Sequence, residues 1–564
     1  PRFCNAFGTP NWYEPGCAQC YLPRTLAYDM MYGGPSTSIA DESAREIYNP
    51  NSAIKTLVLW GTDASYSCTA GGGRALVELR AKGVRTISID PRFQPDAAKA
   101  DIWLPIRPGT DVALMLGWTR YIIEKDLYDH EFVMKWTNLP YLVNAETKRL
   151  VRASDLDAAG DAKTFVVWDA KTNSPKPIKY PWDDALDPVL DGEFEWAGVK
   201  YRTGFNALRE IEEAILMYAD GPAGISLGVA TDQTPNSVQA AMGSVILNAL
   251  MGNVERPGAL MQRNPSSNVV PAGSLATRCS YLLPEGQLTK RLGSNEHKGL
   301  LQWDAGQPSA ILNAILTGKP YPLKVWLERS GNKFGVNGNA SSWVPALEKM
   351  DLVVHMYMYP TSFSKFADIL LPAREWLETN MLVECMNMVF ARQAVAHVWE
   401  TEDETLFWSK LIKRCAELGN ENCKRACDPS FMKDDLAYWD TMEELLDGRL
   451  KRIKMTWKDL LAHNPVEYMP YDKWNQYYVY KKIDPKTGLP QGFRTPTKKL
   501  ELYGDVFIEL GRTGKPYALQ KLPPVKQDYD PLPYYLEPAE SPTGEIAKKY
   551  PLVLTSGRIP MYHH

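Results

Sequence analysis

Two cysteines separated by two residues, Cys17 and Cys20, stand in the stretch GTPNWYEPGCAQCYLPR from Gly8 to Arg24. Such a pair supplies soft thiolate ligands, a redox dithiol or a disulfide. A structural four-thiolate zinc site needs a second Cys-x-x-Cys, and the chain has none. A thioredoxin-type dithiol sits at a helix N-terminus directly after a strand, which YEPGCAQC does not supply. Cys423 and Cys427 lie in the basic stretch CKRAC, which is expected on the surface. Nine cysteines in 564 residues are too sparse for the disulfide framework of small secreted domains. On the residues alone, a metal ligand and a pair of buried thiols both remain open.

A second set of residues could bind rather than react. Three polar loops follow apolar runs: Gly61-Thr62-Asp63, Asp90-Pro91-Arg92, and Arg107 to Asp111. An Asp closing the second strand of a parallel sheet commonly holds a ribose hydroxyl or a guanine edge. Thr110 and Asp111 open a helix, whose first N–H groups suit a phosphate. Each loop alone is also explained by capping and a tight turn. The three in series point to a nucleotide-type ligand, although GTDAS is not the G-x-G-x-x-G of a dinucleotide fold.

The elements that must carry these loops are legible. TLVLW is a buried strand, and RALVELRAKG a helix closed by Gly83. VRTISID and IWLPI follow as strands, and DVALMLGWTRYIIEK as a long helix. Strand, helix, strand at this spacing predicts βαβ units and a parallel sheet. The same grammar returns in AGISLGVATDQ, with Thr231 at its tip, and in LKVWLERSGNKFGVNGN, with Gly331 and Asn332. VVHMYMYP and ADILLPA add further strands. From about 437 to 530 the chain is rich in Tyr, Lys, Pro and Trp, which predicts a loop-rich wrap in which TPTKKLELY is a strand. KKYPLVLTSGR starts a new strand and loop.

The bulk numbers bound the class. A chain of 564 residues exceeds one core and predicts about two to four domains. A net charge of −4 makes nucleic acid an unpromising partner. No run of about 18 apolar residues is present to span a membrane, and no signal peptide is visible. The 17 Trp and 29 Tyr suit a deep pocket or a large core.

Taken together, GTPNW, LVLWGTD, SIDPR, KADIWLPIRPGTDVAL, YDHEFV, FADILLPAREWLE, TPTKKLELY, DPLPYY and YPLVLTSGR resemble the molybdopterin oxidoreductases of the dimethyl sulfoxide reductase family. The nearest branch is that of acetylene hydratase and the catechol dehydroxylases. The resemblance implies two doubly wound α/β domains around two molybdopterin guanine dinucleotides and one molybdenum or tungsten. It also implies an N-terminal segment with a 4Fe-4S cluster and a C-terminal β-barrel, both expected outside this chain. The expected division is 1–35 for the metal-ligand loop, 36–262 and 263–545 for the α/β domains, and 546–564 for the start of the barrel.

Residue by residue, the resemblance makes Cys20 the metal ligand, nine positions after Asn11, with Cys17 as the alternative. Gly61, Thr62, Asp63, Asp90, Arg92, Gly109, Thr110 and Asp111 would hold one dinucleotide. Thr231, Gly331, Asn332, Thr555, Gly557 and Arg558 would face the other, with His563 and His564 near the last loop. Trp12, Tyr13 and Tyr21 suit an aromatic substrate; Arg24 suits an anion or a structural ion pair.

The expected reaction is reduction of a small substrate, with a catechol-type aromatic as one candidate, by dehydroxylation or deoxygenation. Electrons would come through the cluster from an iron–sulfur subunit. The alternatives are non-redox hydration, reduction of a sulfur oxyanion or polysulfide, and a cofactor-free homologue. The expected setting is the cytoplasm or the extracytoplasmic face of an anaerobic prokaryote.

Overall fold

In a computed structural model of the chain, residues 1–14, 20, 22–33, 46–47, 49, 51–68, 72–209, 223–261, 279–294, 296–297, 305–329, 331–431, 438–513 and 529–555 are described. Cys17, Tyr21, Gly557, Arg558, His563 and His564 lie outside them. The chain folds as two compact units, Gln19–Asn264 with Gln476–His564, and Pro1–Ala18 with Pro265–Asn475.

The larger unit is built on strands β1 (Thr56–Trp60), β2 (Arg85–Ile89) and β3 (Ile102–Leu104). Next come the antiparallel strands β4 (Leu142–Asn144), β5 (Phe165–Asp169), β6 (Ser174–Ile178), β7 (Glu193–Trp196) and β8 (Val199–Thr203), then β9 (Ala223–Leu227). A parallel sheet runs in the order β3-β2-β1-β9. Every residue of β1 is buried, as expected of a strand covered on both faces. Its side chains alternate between two cores. Val58 and Trp60 join Met115, Ile122, Val245 and Leu247 on one face. Leu57 and Leu59 join Leu76, Leu79 and Leu260 on the other. Each such side chain contributes about 1.5–3 kcal/mol of burial.

Helix Ser237–Leu250 is apolar almost all round because it lies between helices Leu22–Tyr32 and Asp111–Glu124. Gly243 permits that approach: a Cβ there would lie 3.0 Å from Met115.

Residues after 475 depart from the expected division. Tyr480, Phe493, Leu500, Leu502, Val506, Phe507 and Leu510 fill the core of the larger unit, not that of the 265–475 unit. TPTKKLELY forms no strand. It makes a single bridge, Thr137 with Leu500, because its neighbour is the end of a helix and offers one residue to pair. Within KKYPLVLTSGR residues 550–555 are likewise irregular, with Leu552 and Leu554 91% and 93% exposed. A lone apolar strand gains no ladder hydrogen bonds.

The smaller unit holds a parallel sheet of β10 (Val325–Arg329), β11 (Leu352–Tyr357) and β12 (Ile369–Pro372), in that order. An antiparallel sheet of β13 (Met381–Cys385), β14 (Met388–Arg392) and β15 (Val466–Glu467) follows. Cys423 is fully buried in a cluster with Ala6, Cys279 and Ile412, so CKRAC is a half-buried helix and not a surface segment. Its cysteines lie on the apolar face and its Lys and Arg on the other. Among the described residues no helix is long and apolar enough to cross a membrane.

Candidate cofactor site

The order β3-β2-β1-β9 places a reversal at β1, with β2 on one side and β9 on the other. Open parallel sheets bind ligands beyond the carboxyl ends of their strands at such a reversal. Two glycines shape it. Gly61 has φ +60° and its N–H donates to the Ile89 carbonyl at 2.8 Å. The Gly228 N–H donates to the Trp60 carbonyl at 2.7 Å. A Cβ on Gly228 would lie 2.1 Å from the Gly61 oxygen, so the two loops cross with no room for a side chain. Gly228 was not among the expected site residues; its signal is a glycine directly after an apolar strand, as at Gly61.

The loop after β1 carries Thr62 and Asp63. Both carboxylate oxygens of Asp63 are buried, facing the Tyr66 N–H and the Asp96 carboxyl. Burial, then the nearby Asp96 carboxylate, pushes Asp63 up to about 6. An acidic group in this state fits a ligand that brings N–H or O–H donors. In the loop after β2, Asp90 Oδ1 accepts from the Arg92 N–H at 2.8 Å, and the Arg92 side chain lies 3.9 Å from it. Trp103 holds this loop by donating to the Asp90 carbonyl at 2.8 Å.

The loop after β3 ends at Gly109, φ +86°, and Thr110. Thr110 occupies the N-cap of helix Asp111–Glu124, yet its hydroxyl turns back to the Arg107 carbonyl at 2.7 Å. The first-turn amides are therefore left without a side-chain cap, which suits an anion. Asp111 points the other way. It accepts from the Trp60 indole at 2.8 Å inside the core, where burial raises its pKa.

After β9, Thr231 is buried and its hydroxyl donates to the Gly228 carbonyl at 2.9 Å. Asp232, fully buried, pairs with Arg24 at 2.7 Å. Arg24 also donates to the carbonyls of Leu227, at 2.7 Å, and Cys20, at 3.3 Å. Burial outweighs the arginine and pushes Asp232 up to about 7. Arg24 thus ties the end of β9 to half-buried Cys20, two residues before the Leu22–Tyr32 helix.

The remaining expected residues, Thr555 apart, stand in the smaller unit. Asn11 is held on both sides: its amide donates to the Tyr321 hydroxyl at 2.7 Å, and its oxygen accepts from the Leu292 N–H at 3.1 Å. The Trp12 carbonyl accepts from the Gly306 N–H at 2.7 Å, and its buried indole N–H has no acceptor among the described residues. Tyr13 stacks on Trp343 and meets Trp326 edge-on, with Lys333 5.5 Å from its ring. Burial, then Glu328, raises its pKa. Glu328 itself is paired with Lys333 at 3.0 Å.

Gly331, φ +88°, and Asn332 follow β10, and Ser362 donates to the Asn332 side chain at 2.8 Å. Thr231 lies with the first set of loops in the larger unit, while Gly331 and Asn332 belong to the smaller. Thr555 is exposed.

A buried carboxylate and helix amides without a side-chain cap along one sheet edge suit a large ligand with donors and a phosphate. The chain is 28% identical to acetylene hydratase of Syntrophotalea acetylenica, across 99% of its own length and 66% of that protein's. It is 25% identical to dopamine dehydroxylase of Eggerthella lenta, across 99% and 69%. It is also 25% identical to the thiosulfate reductase molybdopterin-containing subunit PhsA of Salmonella typhimurium, across 73% and 48%. The solved structure of acetylene hydratase from Pelobacter acetylenicus superposes with a TM-score of 0.65 at 25% identity, covering 98% of this chain and 66% of that one. The chain therefore spans about two thirds of the length of its acetylene hydratase relative. The family model for molybdopterin oxidoreductase matches residues 20–414, the range that carries every loop at the carboxyl ends of both parallel sheets, and the chain belongs to that family.

Proposed function

We propose that this chain is the catalytic part of a molybdenum- or tungsten-dependent oxidoreductase that removes a hydroxyl or oxygen from a small, catechol-type substrate. Family membership implies molybdopterin carrying molybdenum or tungsten. The bound group supplies two-electron chemistry with transfer of oxygen or hydroxyl. The observation that carries the reading is the row of loops at the carboxyl edge of β3-β2-β1-β9, with its buried Asp63 and the helix start after Thr110 that has no side-chain cap.

In this reading Asp63 and Asp90 accept from a guanine dinucleotide, and the amides after Thr110 meet its phosphates. Gly331 and Asn332 serve a second dinucleotide. Cys20 supplies a soft thiolate, its backbone held by Arg24. Trp12 borders the metal-ligand loop and favours an aromatic substrate, while Tyr13 packs on Trp343 behind it. A 4Fe-4S cluster and an iron–sulfur subunit deliver the electrons. Support for dehydroxylation is the similarity to dopamine dehydroxylase over 99% of the chain.

A second reading, non-redox hydration, is favoured by the likeness to acetylene hydratase in sequence and structure. Reduced viologen separates the two. A dehydroxylase oxidises the dye at about two electrons per product, whereas a hydratase turns over with no net electron use. Stoichiometric bleaching with a catechol is expected. Product from an alkyne with no dye consumed overturns the reading.

A further inference from the structure

The Arg107–Thr110 loop is held from outside by a segment 430 residues downstream. Both ends of the Arg107 guanidinium meet the Glu537 carboxylate: Nη1 pairs with Oε1, and Nη2 donates to Oε2 at 2.9 Å. Nη1 also donates to the Ser541 hydroxyl at 2.7 Å, and Nη2 to the Tyr535 hydroxyl at 3.3 Å. The Tyr535 hydroxyl in turn donates to Glu537 Oε2 at 2.6 Å. The next residue, Leu536, exchanges both backbone bonds with the Asn236 side chain, at 2.7 and 3.0 Å. Asn236 is the N-cap residue of helix Ser237–Leu250. Pro538 lies over Gly109 so closely that a Cβ there would sit 2.6 Å from its ring.

These contacts join the starts of two helices that pack on each other, Asp111–Glu124 and Ser237–Leu250. They also occupy Arg107. An arginine at a phosphate loop suggests a phosphate ligand, but this guanidinium is already bound in a bidentate pair. The anion-facing role passes to the first-turn amides after Thr110, whose aim depends on the loop before them being fixed before the ligand arrives.

We propose that Tyr535–Ser541 is a clasp and Glu537 a positioning residue that pre-organises the Arg107–Thr110 loop and so governs retention of the bound nucleotide. The retention part rests on the dinucleotide reading above. The clasp itself rests on geometry alone.

The test uses the full-length enzyme, purified with its cofactor, as wild type and Glu537→Gln. Hydrogen–deuterium exchange of the amides of residues 107–112 reads the clasp. GMP released by acid, after timed dialysis, reads retention. In E537Q the loop amides are expected to exchange about five-fold faster, as for loss of a partly exposed charged pair, with GMP lost faster by a similar factor. Unchanged exchange overturns the clasp. Faster exchange with GMP retained at the wild-type rate overturns its role in retention. A wild type that releases no GMP overturns the nucleotide reading and the retention role together, while exchange still reports on the clasp. Should E537Q fail to fold, Tyr535→Phe removes only the hydroxyl bonds and carries both measurements, with a smaller expected change in the same direction.

Discussion

Arg24 shows how a residue's partners decide its role. Its sequence neighbourhood suits either an anion site or an ion pair, and Asp232 decides between them. The pair is buried, so its two halves depend on each other. Removing the arginine leaves a carboxylate in the core with no compensating charge. Arg24→Ala should lower stability by about 3–5 kcal/mol in denaturant melts at pH 8. Arg24→Met with Asp232→Leu should recover most of that loss, since an apolar pair of similar volume has no charge to desolvate. If the double variant is as unstable as the single, the loss comes from the Leu227 and Cys20 carbonyls that Arg24 also serves.

At the scale of elements, the crossing of the β1 and β9 loops is the tightest feature of the site. Gly228→Ala puts a methyl group 2.1 Å from a backbone oxygen and 2.8 Å from the Thr62 Cβ, and neither can swing away. A loss of about 3 kcal/mol or more is expected, with GMP content falling in parallel. Gly83→Ala is the control. Gly83 has φ +86° and nothing within 4 Å of its Cβ position, so only backbone strain of about 1 kcal/mol is at stake. Equal losses at the two sites, measured by thermal melts, would mean that the loops separate on mutation and that the crossing is not rigid.

For the molecule as a whole, a few buried groups in the larger unit set how stability follows pH. Burial, then Asp505, pushes Glu501 up to about 8, and burial brings Lys499 down to about 7. The folded chain keeps the Glu501 proton that the unfolded chain loses near pH 4.5. Glu501 therefore makes stability fall as pH rises from about 4.5 to 8. Lys499 acts in the opposite sense at higher pH. It is neutral in the folded chain above about 7 and charged in the unfolded chain to about 10.4, so stability rises across that window. Glu501→Gln keeps an acceptor for the Thr497 N–H and hydroxyl, at 3.2 and 3.0 Å, and removes the titration. The variant should match wild type near pH 4.5 and exceed it by about 4 kcal/mol at pH 8. A wild-type pH profile in the variant would assign the slope to other groups.

Local pattern in the sequence determined β1 to β3, β9 and β10 to β12, and the loops at their carboxyl ends. Apolar runs, turn glycines and helix starts each act over a few residues, so their signal lies within a few residues. The family followed from motifs of the same local kind. Tertiary structure alone decided what each side chain is spent on. Asp111 looks like a phosphate-loop acid and is taken by Trp60; Tyr13 looks like a substrate ring and is stacked on Trp343. Cys423 lies in a basic stretch and is buried all the same. The residues after 475 read as a surface wrap, yet they complete the core of the larger unit. Arg107 is claimed by Glu537 from 430 residues away. The physical reason is the same in each case: burial and hydrogen-bond partnership are set by residues far apart in the chain, and no local periodicity carries that information.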